Sequence, residues 1–283
     1  KCNKSEFDST EELNMTDMLD YPAELYRSKN KPTYVDSIDL VTEKDITFFD
    51  RNGYLAIQKV FDHHEISVAK SEIQRLISGD SNGFDGIQYE NPNTTSKNMK
   101  NVRKIMGFVN HSPHLYKMAN NPTLIDLIIR LSHNSSPILF QDMALLKGPG
   151  GREKPWHQDA AYFDLPIDTV VIGVWIALDP ATEENGCLHI IPKTHKNGPA
   201  EHFQIRDWQL CDTEILAGLD VAVPLEPGGC LLWHGLLHHG SPKNNTQKTR
   251  QALQYHYRPK SCKQTSADER LKHFGGSVRG ATC

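Results

Sequence analysis

From about residue 136 to about 258 the chain is written as short runs of β-branched and aromatic residues closed by Gly, Pro, Asn or Asp. The runs fall at 138–147, 156–163, 169–178, 186–191, 220–224, 230–234, 236–241 and 251–257. Runs of this length and composition are strands. Many short strands joined by polar turns protect their edges by folding as a jelly roll. The expected fold is therefore α+β, mainly β: a jelly-roll barrel with flanking helices packed outside it.

The helices are expected in the first part. Thr42 can cap one that stops before Gly53, and 54–60 (YLAIQKV) then reads as a strand. Asp62 with Glu65 resembles a capping box, and Ile66, Ala69, Ile73, Leu76 and Ile77 keep helical spacing up to Gly79. Pro113 and Pro122 each follow a capping type of residue and open further helices. Residues 1–40 are polar without a period, an arm that wraps the domain or is partly disordered, and 41–283 read as a single domain. Residues 80–101, rich in Gly, Asn, Ser and Thr, make a loop long enough to be a lid.

With a net charge of -4, the chain has no basic field for nucleic acid. Its apolar stretches are interrupted or fall short of the roughly 18 residues that span a bilayer, so a soluble protein is expected. Cys187 and Cys230 sit in apolar runs and read as packed free thiols. Cys2, Cys211, Cys262 and Cys283 lie in polar surroundings and could pair in an oxidising compartment. Glycosylation sequons at Asn3, Asn14, Asn93, Asn110, Asn134 and Asn244 make the secretory route one option and the cytoplasm the other. Oligomeric state leaves no trace in the sequence.

The chemistry starts at His157-Gln158-Asp159. On a strand, residues i and i+2 leave the same face about 6 to 7 Å apart, so one cation can touch both side chains. His-x-Asp is a short pattern, common by chance, and needs a third ligand. Two histidines and one carboxylate leave three positions of an octahedral ion open, which suits non-haem iron(II) that must also bind a cosubstrate and dioxygen.

Three segments extend the pattern: PWHQDAAYF, VWIALDPATEENGCLHIIPKTH and HGLLHHGSPKNNTQKTRQALQYHY. In this order they resemble the phytanoyl-CoA dioxygenase family of iron(II)- and 2-oxoglutarate-dependent oxygenases, over roughly residues 100–258, with a weaker match at 42–79. The resemblance implies a double-stranded β-helix and hydroxylation of an unactivated C–H bond in a small-molecule substrate. It also implies iron(II), 2-oxoglutarate and O2, with succinate and CO2 as coproducts and ascorbate as a candidate reductant. It makes His157, Asp159 and His239 the iron ligands. Strand parity agrees, because His239 and Ser241 share a face from which His238 points away; a bulge there would undo the argument. His234 and His238 are set aside as ordinary histidines.

Arg250 stands where the family binds the distal carboxylate of 2-oxoglutarate, and its planar fork suits that group. Ser241, Lys104, Met143, Gln158 and Trp175 match further cosubstrate-contacting positions, although Met143 and Trp175 read equally well as core. Asn185-Gly186-Cys187 and the Pro192 to His195 segment also resemble the family, but Lys193-Thr194 replaces the usual Gly-Ser, and His195 reads as structural. The carboxylate of Asp159 favours hydroxylation over halogenation, since related halogenases have a small residue there; desaturation and ring formation use the same ligands. Two rivals stand beside this reading. One is a binding or regulatory protein that keeps the barrel without turnover. The other is a zinc hydrolase on the same three ligands, which leaves Arg250 unexplained.

Overall fold

The structure is a computed structural model and describes residues 21–79, 83–90, 99–215 and 218–275. In the first part, β1 (Tyr34–Val35), α1 (Glu43–Asn52), β2 (Tyr54–Ile57), α2 (His63–Ser78), β3 (Ile87–Tyr89), β4 (Val102–Met106), α3 (Pro113–Ala119) and α4 (Pro122–Leu131) follow one another. The second part holds β5 (Pro137–Lys147), β6 (Lys154–His157), β7 (Ile172–Ala177), β8 (Leu188–Ile190), β9 (His202–Gln204) and β10 (Trp208–Leu210). It ends with β11 (Val221–Val223), β12 (Cys230–His234), β13 (His239–Ser241), β14 (Arg250–Pro259) and α5 (Ala267–Phe274).

Eight strands form a large sheet in the order β1-β2-β12-β7-β14-β5-β4-β3, and four form a small one in the order β11-β8-β13-β6. Strands at the centre of the large sheet are apolar on both sides. On β7, Val174 and Ile176 join the layer that includes Ile73 and Leu76 of α2 and Leu127 and Ile128 of α4. The alternate residues Trp175 and Ala177 join Ile190, Val221 and Val223 of the small sheet. A strand covered on both faces reads as an unbroken apolar run, which is why 169–178 announces itself so clearly. Each fully buried Leu or Ile in these layers contributes about 1.5–3 kcal/mol of hydrophobic stabilisation. The architecture is the expected jelly roll with helices packed outside.

The helix signals hold in detail. Asp62 accepts from the Glu65 backbone N–H at 2.8 Å, and the Glu65 carboxylate accepts from that of Asp62 at 2.9 Å. Asn121 caps α4 by accepting from Leu124 N at 3.1 Å. The strand boundaries need correction in two places. The run at 156–163 is not one strand: β6 stops at His157, and Asp159–Tyr162 forms a 3₁₀ turn. The run at 236–241 becomes a strand only from His239. Strand β4 went unread because Arg103 and Lys104 interrupt its apolar residues, and both face a cavity described below. Of the proposed lid, 80–82 and 91–98 lie outside the described residues, while 87–89 is strand rather than loop. Residues 1–20 of the arm also lie outside them; in the rest, Leu25 and Tyr26 are buried and β1 pairs in parallel with β2.

Asn244 is fully buried and donates to the carbonyls of Lys147, Gly148 and Lys248, so this sequon holds a turn together and cannot carry a glycan in the folded protein. Cys187, Cys211, Cys230 and Cys262 are free thiols, and Cys211 is buried despite its polar neighbours in sequence; Cys2, Cys283, Asn3, Asn14 and Asn93 lie outside the described residues. No helix among the described residues is long and apolar enough to cross a membrane.

Burial also sets a pH response. His202 is 0 % exposed, donates from Nδ1 to Ala200 O at 2.8 Å and accepts at Nε2 from Gln158 N at 3.0 Å. Burial drives its pKa from 6.5 down to about 3. The unfolded chain therefore takes up this proton first, and stability falls as pH drops below 6.5. From about pH 8 to about pH 5 this one group is expected to remove about 2 kcal/mol. Urea unfolding at the two pH values measures the loss, and a His202→Asn variant should show a smaller one.

Candidate metal centre and cosubstrate cavity

His157 ends β6, and Gln158 remains extended (φ -112°, ψ 131°) before the 3₁₀ turn begins. The alternation expected of a strand thus lasts one residue beyond it, and Asp159 falls on the same side as His157. His239 pairs directly with His157 across β13 and β6. The register shifts between His239 and Ser241, where two steps along β13 face the three steps from His157 to Lys154. The extra residue belongs to β6, so β13 keeps its alternation, and His239 and Ser241 line the same cavity.

The three donor groups are buried, with candidate ligand atoms all within 4.8 Å of one another. Asp159 Oδ1 lies 3.5 Å from His157 Nε2 and 3.6 Å from His239 Nε2. The far side of each imidazole is committed to the backbone: Nδ1 of His157 donates to Pro155 O at 2.8 Å, and Nδ1 of His239 to Leu237 O at 3.0 Å. Both Nε2 lone pairs are thereby turned towards Asp159. Burial, reinforced by His239, lowers the His157 pKa to about 4, which leaves its imidazole neutral and fit for a metal. The other carboxylate oxygen of Asp159, Oδ2, accepts from Trp233 Nε1 at 2.8 Å and His256 Nε2 at 2.9 Å. Outer contacts of this kind fix a ligand's orientation. Two imidazole nitrogens and one oriented carboxylate oxygen fit a divalent ion that keeps open positions.

A cavity of about 310 Å³ runs past these donors, and its wall includes Lys104 on β4, Met143 on β5, Trp175 on β7, Ser241 on β13 and Arg250 on β14. Arg250 is 2 % exposed, and its Nε and Nη1 have no hydrogen-bond partner among the described residues. Its guanidinium carbon stands 5.1 Å from the centre of the Trp175 ring, a cation–π contact. Burial lowers its pKa to about 10, so it stays charged at neutral pH. Unpaired buried N–H groups on a cation are costly, and an anion entering the cavity would satisfy them.

Gln158 is the exception among the sequence-derived positions. Its amide donates to Gly198 O and Leu236 O and accepts from Ala200 N, which commits it to the neighbouring loops, and it does not line the cavity. The decoy histidines keep to themselves. His234 Nδ1 accepts from Leu236 N, and the His238 backbone N–H donates to Thr194 Oγ1. His195 caps the end of α1, donating to Asp50 O at 3.2 Å, with its ring where a Cβ on Gly53 would sit.

The sequence reading missed His256, Trp233, Lys147, Tyr162 and Asp207. For His256 a signal existed, since Arg250, Gln254 and His256 stand at even spacing on one strand. Nothing local marks the others. Tyr162 packs edge-on against His157 with ring centres 5.6 Å apart, and Lys154 joins Tyr162 Oη at 2.9 Å to Asp207 at 2.8 Å. The wall beside the donors is thus polar and charged.

Residues 49–252 match the family described as phytanoyl-CoA dioxygenase (PhyH). The mouse phytanoyl-CoA dioxygenase domain-containing protein 1 (Mus musculus) is 30% identical over 195 residues, 64% of this chain and 66% of its own length. Its zebrafish (Danio rerio) counterpart is 24% identical over 264 residues, covering 77% of this chain and 90% of its own. Among solved structures, the epimerase SnoN in complex with Fe3+, alpha ketoglutarate and nogalamycin RO superposes with a TM-score of 0.67 at 20% identity, over 85% of this chain and 91% of that one. EctD from S. alaskensis with 2-oxoglutarate and 5-hydroxyectoine gives 0.66 at 22%, over 85% and 82%. A family match across most of the chain joins the jelly roll and the buried His-Asp-His group, and the chain belongs to the phytanoyl-CoA dioxygenase family of iron- and 2-oxoglutarate-dependent oxygenases.

Proposed function

We propose that this dioxygenase hydroxylates an unactivated C–H bond of a small organic substrate, with His157, Asp159 and His239 holding iron(II) and Arg250 holding the far carboxylate of 2-oxoglutarate. The observation that carries the reading is the pairing, in one cavity, of a three-donor group with a buried arginine whose Nε and Nη1 are unsatisfied among the described residues. Bound iron supplies the activation of dioxygen, coupled to conversion of 2-oxoglutarate into succinate and CO2.

The protein's own part is orientation and exclusion of water. Trp233 and His256 hold Asp159 so that Oδ1 faces the ion, and the two backbone-tied imidazoles present Nε2 from one side. An ion held by these three donors would keep positions free for cosubstrate and dioxygen. Arg250 meets the cosubstrate's tail inside the barrel, with Ser241 and Lys104 on the same wall. The carboxylate of Asp159 occupies the position that a halide would need, which favours hydroxylation. Arg103, Lys154 and Asp207 line the cavity near the donors, a surface suited to a polar substrate.

Purified protein with iron(II), ascorbate and 2-oxoglutarate is expected to release succinate slowly alone and faster with its substrate. Isotope-labelled dioxygen should appear in a hydroxylated product; a product lacking two hydrogens and the label would point to desaturation instead. Absence of any calorimetric binding of 2-oxoglutarate to the iron-loaded protein would replace the reading with that of a binding protein.

A further inference from the structure

Lys147, at the end of β5, stands directly across from Arg250 of β14 in the register of the large sheet. Like charges directly opposed across two strands are destabilising, and no carboxylate lies within ion-pair distance of either among the described residues. Lys147 nevertheless has a purpose-built slot. A Cβ on Gly186 would come within 3.2 Å of its Cδ and Nζ, and one on Gly151 within 2.9 Å of its Cγ. Gly186 and Gly151, which the metal site does not use, leave space here for the carbonyls of Pro242 and Gly148 and for this lysine beside them.

The ammonium is committed at short range. Nζ donates to Ser241 Oγ at 2.6 Å and to Pro242 O at 2.6 Å, with Ser241 O at 3.3 Å. Because Ser241 Oγ already accepts from Nζ, its own hydroxyl proton must be donated elsewhere, and both Ser241 and Lys147 line the cavity beside Arg250. A buried guanidinium, a half-buried ammonium and one oriented hydroxyl meet in the wall of that cavity.

We infer that Lys147 is a positioning residue for the cosubstrate: it turns the Ser241 hydroxyl into a donor and, with Arg250, makes this end of the cavity selective for a second carboxylate. The inference rests on the assignment of 2-oxoglutarate to the cavity. Burial, with Arg250 adjacent and Glu153 only partly offsetting it, lowers the Lys147 pKa well below its ordinary value, and a carboxylate bound here would favour the charged form. A dianion's tail compensates both cations, whereas a 2-oxo acid with an uncharged tail leaves them opposed.

The test compares 2-oxoglutarate with 2-oxopentanoate, which has a methyl group in place of the far carboxylate. Binding of each is measured by calorimetry on manganese(II)-loaded protein for wild type, Lys147→Met and Ser241→Ala. Both variants are expected to bind 2-oxoglutarate about tenfold or more weakly, equivalent to about 1.4 kcal/mol or more. Affinity for 2-oxopentanoate and for the metal should stay within about twofold of wild type in a variant acting through this network. Equal weakening of both acids would reduce Lys147 to a packing role and overturn the inference, as would unchanged 2-oxoglutarate binding. Should Lys147→Met fail to fold, the same contrast is read from Lys147→Gln, which removes the charge and keeps a polar side chain in the slot. Wild type that binds 2-oxoglutarate no better than 2-oxopentanoate would overturn the cavity assignment itself, a result distinct from failure of Lys147 alone.

Discussion

His239→Ala is expected to abolish tight iron binding and, with it, all turnover, whereas His238→Ala should keep both. The two residues are neighbours in sequence and opposites in the structure. His239 presents Nε2 3.6 Å from Asp159 Oδ1 with its other nitrogen tied to Leu237 O. His238 precedes β13 and does not line the cavity, and its main chain bonds Thr194 and Ile191. Removing one of three donors leaves a buried carboxylate and a single imidazole, too few to hold a divalent ion that prefers several ligands. The loss should exceed about a hundredfold in metal affinity, above the effect expected of an outer contact. Titration with manganese(II), followed by its electron paramagnetic resonance signal, gives the answer without depending on catalysis. Loss of the ion from the His238 variant, with His239→Ala unaffected, would show that the other face of β13 carries the donor.

Arg250→Met should leave the ion in place and remove the cosubstrate. The guanidinium is buried in the cavity wall with two nitrogens, Nε and Nη1, unsatisfied among the described residues, so the tail of a bound dianion would find its matched partner there. Leaving one member of a buried charge pair without the other costs about 3–5 kcal/mol, and allowing for Lys147 the expected fall in 2-oxoglutarate affinity is about a hundredfold. Arg250→Lys keeps the charge without the planar fork and should lose about tenfold or more. A 2-oxo acid with an uncharged tail should partly restore binding to the Met variant. Wild-type affinity in a folded, metal-loaded Arg250→Met protein would move the far carboxylate to Lys147 or Lys104.

Much of this arrangement could be read before any coordinates. Capping residues and apolar spacing mark α1, α2 and α4 because those helices bury one stripe against a sheet, a pattern that survives in one dimension. The strands at 138–147, 169–178 and 230–234 are legible for the same reason. The break after His157 is not, since nothing in Asp159-Ala160-Ala161-Tyr162 forbids a strand, and the turn comes from contacts such as Ala160 N to Gly235 O. Gln158 was misplaced because a resemblance assigns positions and not directions: its neighbours on both sides face the cavity while it bonds loops behind them. Trp233 and Lys147 left no signal because their importance comes from residues 74 and 94 positions away, brought close only by folding.

Asp159 sits in the turn that follows β6 of the small sheet, yet its carboxylate is held by the large sheet, through Trp233 of β12 and His256 of β14. The donor set therefore works as an alignment gauge between the two halves of the sandwich. A slip of one layer over the other by a fraction of an ångström would rotate this carboxylate away from both imidazoles. Substitutions in the apolar layer between the sheets, far from any ligand atom, would then be felt as altered ion affinity. In the other direction, a bound ion acts as a cross-brace, resisting shear where the sandwich holds its cavity open.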